Sequence, residues 1–363
     1  MTTRIRGTLA LAVGLGATAQ AQLVDTSFQP PNEDRWNYPF NLTPGVRFEA
    51  SIFGAIDEPG FDDYDGQYIV GFDTSGEVPP GLDPSRYTIE SARLILVIAN
   101  TDGFPLDVTP DSYRTFLDPS DPDYLPDSTP GRPMEVFGTG YRNGFTAETW
   151  SATSPFGGTP TVPPAQGARN AFAALFEVDG TAVDISNRLK ERFDVVPWGI
   201  GTIDGRQPGD TVAAEDVVVF EIDLCAPSAF RYLQEELARG QIRLSAASLL
   251  PASGDPTGGT GPSAFPSFYT SNNPVAQALS LTPQLDLRVR VGSPADMTGP
   301  TPGSPDGVID ADDFFFFLQL FAAGDPRADL TGSTNPNDPG FGVPDCVIDA
   351  DDFFYFLARF AEG

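Results

Sequence analysis

Hydrophobic positions along the chain follow two periods, and the change from one to the other falls near residue 292. Before it, short apolar runs repeat every second residue between turn-rich segments. Leu285, Leu287, Val289 and Val291 alternate with Gln284, Asp286, Arg288 and Arg290, and Leu94, Leu96 and Ile98 share one face of another run. This alternation predicts half-buried strands, because successive side chains leave opposite faces of an extended backbone. Runs at 46–54, 67–73, 87–99, 171–178, 215–224, 241–250 and 284–291 qualify, with proline- and glycine-rich stretches such as 102–133 and 251–266 between them. Strands of this length and spacing predict a mainly β protein in which residues 22–291 form a β-sandwich or jelly-roll-like domain.

One or two short helices interrupt those strands. Ser228 offers a cap, Phe230, Leu233 and Leu237 a stripe, and Gly240 a stop. A second helical stretch is expected from Asp184 to Phe193. Each follows a similar run, Phe220-Glu221-Ile222-Asp223 and Phe176-Glu177-Val178-Asp179.

After residue 292 the period lengthens. Phe314, Phe317, Leu318 and Phe321 stand at i, i+3, i+4 and i+7, and Phe353, Phe356, Leu357 and Phe360 repeat the spacing. Each set predicts a helix with one apolar stripe, and the two stripes can cover each other. The segments are copies: 305–321 reads PDGVIDADDFFFFLQLF and 344–360 reads PDCVIDADDFFYFLARF, with 13 of 17 positions identical at an offset of 39. A second shared element, ADMTG at 295–299 and ADLTG at 328–332, precedes each copy.

The residues before each helix are those a calcium loop needs: carboxylates at alternating positions on a tight turn and a closing carboxylate at its end. In the first copy Asp296 and Thr298 would open the loop. Asp306 follows, Gly307 permits the turn, Val308 offers its carbonyl, Asp310 ligates directly or through water, and Asp313 closes. The second set is Asp329, Thr331, Asp345, Val347 through its carbonyl, Asp349 and Asp352. So small a unit needs a staple, and two calcium ions are the candidates. Cys346 stands where the first copy has Gly307, which marks the second site as the weaker.

On these motifs residues 295–363 resemble a dockerin domain, with two F-hand calcium loops each followed by a helix. More narrowly they are similar to the GC-type dockerin-like domain at the C-termini of secreted proteins of Planctomycetes-like bacteria. The resemblance implies a small all-α calcium-binding domain over 292–363 and a cohesin-like protein module as partner. It places partner choice at Ala311, Asp312, Ala350 and Asp351. Phe315, Phe316, Phe354 and Tyr355, off the main stripe, would add a contact patch. The chain departs from the dockerin pattern in spacing: Asp296 lies ten positions before Asp306 and Asp329 sixteen before Asp345, where a dockerin loop has four. The body is only loosely similar to DNRLRE-type β-sandwich domains, through FDTS at 72–75 and SARLILVIAN at 91–100. Some members of that group bind polysaccharide.

Composition narrows the chemistry. The chain has 50 Asp and Glu against 21 Lys and Arg, a formal charge of −29 and no histidine. Ser-His-Asp and Cys-His catalysis and His-ligated metals are excluded, and two cysteines cannot build an all-Cys zinc or iron–sulfur site. The acidic balance argues against nucleic acid as a partner, because a phosphate backbone demands a basic surface. Oxygen-ligated metals and carboxylate chemistry remain. Residues 1–21 read as a secretory signal peptide: Arg4 and Arg6, the apolar Leu9–Leu15, then Ala19-Gln20-Ala21, with cleavage before Gln22. The expectation is a secreted or cell-surface protein with no membrane span after cleavage. Cys225 and Cys346 can pair, stay free, or find partners elsewhere.

Other candidates are thinner. Asp62-Asp63-Tyr64-Asp65-Gly66 reads as a calcium turn or a solvated one. Glu177 and Glu221 would suffice for glycoside hydrolysis or would simply face outward from strands. Trp36, Trp150 and Trp198 would stack on sugars or fill the core. No catalytic motif is present, so the favoured reading is a non-catalytic binding or structural protein. Its alternative is a carbohydrate-active enzyme, a glycoside hydrolase or lyase, carried by the same tail.

Overall fold

A computed structural model describes residues 21–363 apart from 42, 57, 101–102, 130, 159–165 and 253–264. The expected signal segment 1–20 and most of the glycine-rich stretch 251–266 therefore lie outside the described residues. Sixteen strands follow in chain order among the described residues. They are β1 (Gln22–Phe28), β2 (Glu33–Asn37), β3 (Glu49–Ser51), β4 (Phe53–Gly54), β5 (Tyr64–Asp73), β6 (Tyr87–Val97), β7 (Phe104–Pro105) and β8 (Met134–Tyr141). Then come β9 (Ala171–Phe176), β10 (Ala182–Asp184), β11 (Gly199–Thr202), β12 (Thr211–Val212), β13 (Val217–Glu221), β14 (Gln241–Ser248), β15 (Ser267–Tyr269) and β16 (Gln284–Val291). Each of the seven predicted runs contains strand. β1, β2, β8 and β11 were not anticipated, because their alternation is short or broken by glycine and charge.

The protein is mainly β, as expected, but it does not divide into two independent sheets. Twelve strands form one antiparallel sheet in the order β1-β16-β6-β13-β11-β8-β14-β5-β2, with β4 added on β5 and the β9–β10 hairpin on β8. Its halves face a common core. Leu94, Leu96, Leu285, Leu287 and Val289 from one half meet Tyr68, Val70, Val136 and Leu244 from the other, all with at most 1% exposure. The four-residue β11 joins the halves, pairing with Phe220 through Gly201 and with Val136 through Gly199. A Cβ at Gly199 would lie 2.6 Å from the Glu221 carbonyl oxygen, and one at Gly201 2.7 Å from Val218. Glycine thus lets the sheet curl through this narrow strand.

Helix α1 (Pro227–Arg239) buries Phe230, Leu233 and Leu237 as predicted, and Gly240 ends it in the left-handed region at φ 82°. Ser228 is not its cap. Pro227 is the first helical residue, Ala226 holds the cap position without a side-chain bond, and the Ser228 hydroxyl accepts from the Trp198 indole at 3.3 Å. The helix expected over 184–193 is absent. After β10 the chain makes successive turns, because wholly buried Arg188 and nearly buried Asn187 are drawn into bonds with distant residues. A short helix that was not foreseen, α2 (Pro274–Leu279), is capped by Asn273.

The tail holds α3 (Ala311–Ala323) and α4 (Ala350–Glu362), placed by the two copies of the repeat. Phe317 stacks on Phe356 at 4.0 Å and 2°, Phe314 meets Phe360 at 5.9 Å, and Phe321 meets Phe353 at 6.1 Å. The start of each helix therefore faces the end of the other, and the stripes cover each other. Leu320, rather than Leu318, completes the buried set with Ala295, Met297, Ala328, Leu330 and Tyr355. This small core is separate from that of the body. The tail is nevertheless fastened to the body: Val343 enters the body's core, and Cys225 is bonded to Cys346 across 121 residues.

Candidate functional site

The tail loops share one hydrogen-bond plan. Asp310 and Asp349 cap α3 and α4 through their side chains, and Asp313 and Asp352 return the bond to the cap residue's own backbone N–H at 3.0 and 2.9 Å. This reciprocal box satisfies N–H groups that a helix start leaves open. The second oxygen of Asp313 accepts from Met297 at 2.7 Å and Thr298 at 2.8 Å. That of Asp352 accepts from Leu330 at 2.6 Å and Thr331 at 2.9 Å. Each closing carboxylate thus ties the loop's first segment to the helix start.

The opening carboxylates hold the turn. Asp296 accepts from Asp306 at 3.2 Å and Gly307 at 2.8 Å, and Asp329 accepts from Asp345 at 3.2 Å and Cys346 at 2.6 Å. Both donors of each pair point at one carboxylate because the turn residue is left-handed. Gly307 has φ 87°, and Cys346, which carries a Cβ, has φ 63°. The inserts loop out without disturbing this plan. The Thr298 hydroxyl accepts from Gly303, and the Thr331 hydroxyl donates to Ser333 and accepts from Gly342, so both threonines pin the inserts.

Burial sorts the acids into two groups. Asp296, Asp313, Asp329 and Asp352 are buried, at 3%, 1%, 6% and 0% exposure. Asp306, Asp310, Asp345 and Asp349 are exposed, and Asp306 and Asp345 each accept from the backbone two residues on. Burial pushes the Asp296 and Asp352 carboxyls up and lifts Asp329 to about 6, against the backbone bonds that lower them. The neighbouring charges felt by Asp296 are Asp313 and Asp306, and those felt by Asp329 are Asp352 and Asp345. Among the described residues no three acidic or cysteine side chains are grouped so that they could hold a metal ion. The carboxylates are oxygen donors of the type a hard cation takes, but both oxygens of Asp296, Asp313, Asp329 and Asp352 accept backbone N–H groups here. Val308 and Val347, expected to offer carbonyls, are 58% and 54% exposed.

The residues assigned to a partner separate in the same way. Ala311, Asp312, Phe315, Ala350 and Phe354 are exposed, Phe315 at 65% and Phe354 at 58%, and Asp351 is half-buried. Phe316 is half-covered, with the Arg327 guanidinium 5.8 Å from its ring. Tyr355 does not belong to the patch: it is 3% exposed, packed edge-on against Phe341 at 5.1 Å and under Arg359. The second insert folds back to bury it, which the repeat alone could not reveal.

The candidates in the body resolve into structure. Asp62, Asp63 and Asp65 are neither solvated nor grouped for a metal. Asp62 pairs with wholly buried Arg169 at 2.8 Å, Asp63 pairs with Lys190 at 2.7 Å, and Asp65 lies 4.0 Å from Arg169. Trp150 and Trp198 are buried in the core, and Trp36 is half-buried against Tyr38 at 4.6 Å. Glu177 and Glu221 are exposed and line different clefts. Glu177 borders a cleft of 430 Å³ with Asp179, Arg231 and Tyr232; Glu221 borders one of 360 Å³ beside the disulfide. They do not share a cleft, as a catalytic pair would. No helix among the described residues is long and apolar enough to cross a membrane. No family model and no curated protein matches the chain.

Proposed function

We propose that residues 292–363 form a dockerin-like module that binds two calcium ions and anchors the β body to a cohesin-like protein in an extracellular or cell-surface assembly. The duplication carries this reading. Two loops with inserts of different length keep the same buried pair of carboxylates, the same backbone donors and the same helix start. A cation at each loop would be held by Asp296, Asp306, Asp310 and Asp313, and by Asp329, Asp345, Asp349 and Asp352. It would offset the repulsion among them. The carbonyls of Val308 and Val347 would complete the sets. Thr298 and Thr331 act beside them by fixing the inserts. The exposed Phe315 and Phe354, with Ala311, Asp312, Ala350 and Asp351, form the partner face.

The body is read as non-catalytic, a structural or polysaccharide-binding domain, since Glu177 and Glu221 stand apart. Secretion rests on the signal-like segment at residues 1–21, with cleavage before Gln22. Calorimetric titration of the full chain tests the metal reading. Two calcium ions bind, and Asp313→Asn and Asp352→Asn each remove one. No calcium-dependent heat in the wild type overturns it. A pull-down in calcium and in EGTA tests the anchor, and equal recovery of partners in both sinks it.

A further inference from the structure

The Cys225–Cys346 bond joins two places that matter separately. Cys225 sits in the turn between β13 and α1, where its backbone N–H donates to Asp223. Cys346 is the turn residue of the second tail loop, the counterpart of Gly307. Its left-handed backbone aims its N–H at Asp329, as Gly307 aims its own at Asp296. A residue with a Cβ disfavours that conformation, whereas glycine does not. The first loop thus holds its turn by composition, and the second does so against the preference of its residue. The bridge is also reachable: Cys346 is exposed, Cys225 is half-buried, and both line the 360 Å³ cleft between body and tail.

We infer that the Cys225–Cys346 disulfide is a redox latch on the second loop alone, holding Cys346 in the left-handed turn that seats Asp329. A dithiol reductant supplies two electrons and two protons. The S–S bond breaks, each sulfur leaves as a thiol, and the reductant becomes a disulfide. Cys346 then relaxes out of the left-handed region, Asp329 loses the Asp345 and Cys346 donors, and the second loop opens while the first stays closed. On the calcium reading, which this part of the inference rests on, one of two sites becomes redox-dependent.

Amide hydrogen exchange on the full chain tests the latch without calcium. Reduction lowers protection at Asp345 and Cys346 roughly tenfold, the weight of a left-handed Cβ residue. Asp306 and Gly307 and the strands β6 and β16 stay unchanged. Cys225→Ala gives the same result under oxidising conditions, and Cys225→Ala with Cys346→Gly restores protection, because glycine holds the turn unaided. Unchanged exchange on reduction, equal loss in both loops, loss across the body, or failure of the glycine to restore would overturn the latch. Calcium titration is the second arm, with reduction weakening one site of two. Exchange behaving as stated with no calcium bound in either state leaves the latch standing and removes the calcium reading. Two sites indifferent to reduction do the reverse.

Discussion

Replacing Phe317 by alanine tests whether the tail is a folding unit of its own. Phe317 is fully buried, stacked on Phe356 at 4.0 Å, and in contact with Phe321 at 5.7 Å and Phe353 at 6.4 Å. Truncating such a ring costs about 3–5 kcal/mol through lost transfer energy and the cavity left behind. Loss of the stacked pair adds about 1 kcal/mol. A unit of the tail's size holds roughly 3–10 kcal/mol at the usual stability per residue. The substitution thus removes most of what keeps α3 and α4 paired. The body's core contains neither ring and should be untouched, with the disulfide still tethering the tail. Native-state hydrogen exchange reads both parts at once: amides of α3 and α4 lose nearly all protection, while those of β6, β14 and β16 keep theirs. Phe315→Ala, at a ring 65% exposed, is the control and changes little. Loss of protection in body and tail together would refute the separate tail core, and a Phe317→Ala variant matching the control would refute the stacked helix pair.

Three further outcomes follow from named contacts. Arg169→Met leaves Asp62 buried without its partner and removes donors to the Tyr64 and Asp65 carbonyls, costing about 3–5 kcal/mol in urea unfolding; adding Asp62→Asn recovers part of it, and a loss under 1 kcal/mol contradicts the pairing. Asp65 is lifted to about 7, first by burial and then by Asp62, with Arg169 opposing. The folded protein therefore keeps a proton that the unfolded chain releases from pH ~4 upward, and this stability is present below that pH and lost as pH rises towards 7. Asp65→Asn matches the wild type near pH 4 and exceeds it above pH 7 by a margin on the order of a few kcal/mol, and equal unfolding midpoints at both pH values reject the assignment. In EGTA, Asp352→Ala leaves the N–H groups of Leu330, Thr331 and Asp349 without their acceptor and destabilises α4 by about 2–3 kcal/mol, read by helical circular dichroism on melting; an unaltered melt rejects it.

Legibility from sequence followed the range of the interactions. The two tail helices were readable because their stripes and caps are set by residues three or four apart, and because the repeat states each twice. The same local logic placed β16 and β6, whose core-facing side chains alternate strictly or share one face. Where a side chain answers to a distant partner, local reading failed. The 184–193 stretch has helical spacing, yet Asn187 bonds Asp62 and Arg188 bonds Tyr64, more than 120 residues away, and the chain follows those bonds instead. Asp62 to Asp65 look like a surface turn in sequence. They are buried because Arg169 and Lys190 come to meet them.

What the sequence determined by itself is the duplicated acidic loop, the helix after each copy, the apolar stripes and the alternating strands: features fixed by the geometry of a few neighbouring residues. What only the tertiary structure decided is how those pieces close. It curled the strands into one sheet through the glycines of β11, covered Tyr355 with the second insert, and matched Cys225 with Cys346 across 121 residues. Each depends on which distant surfaces meet, and spacing along a chain carries no record of that until the core has formed.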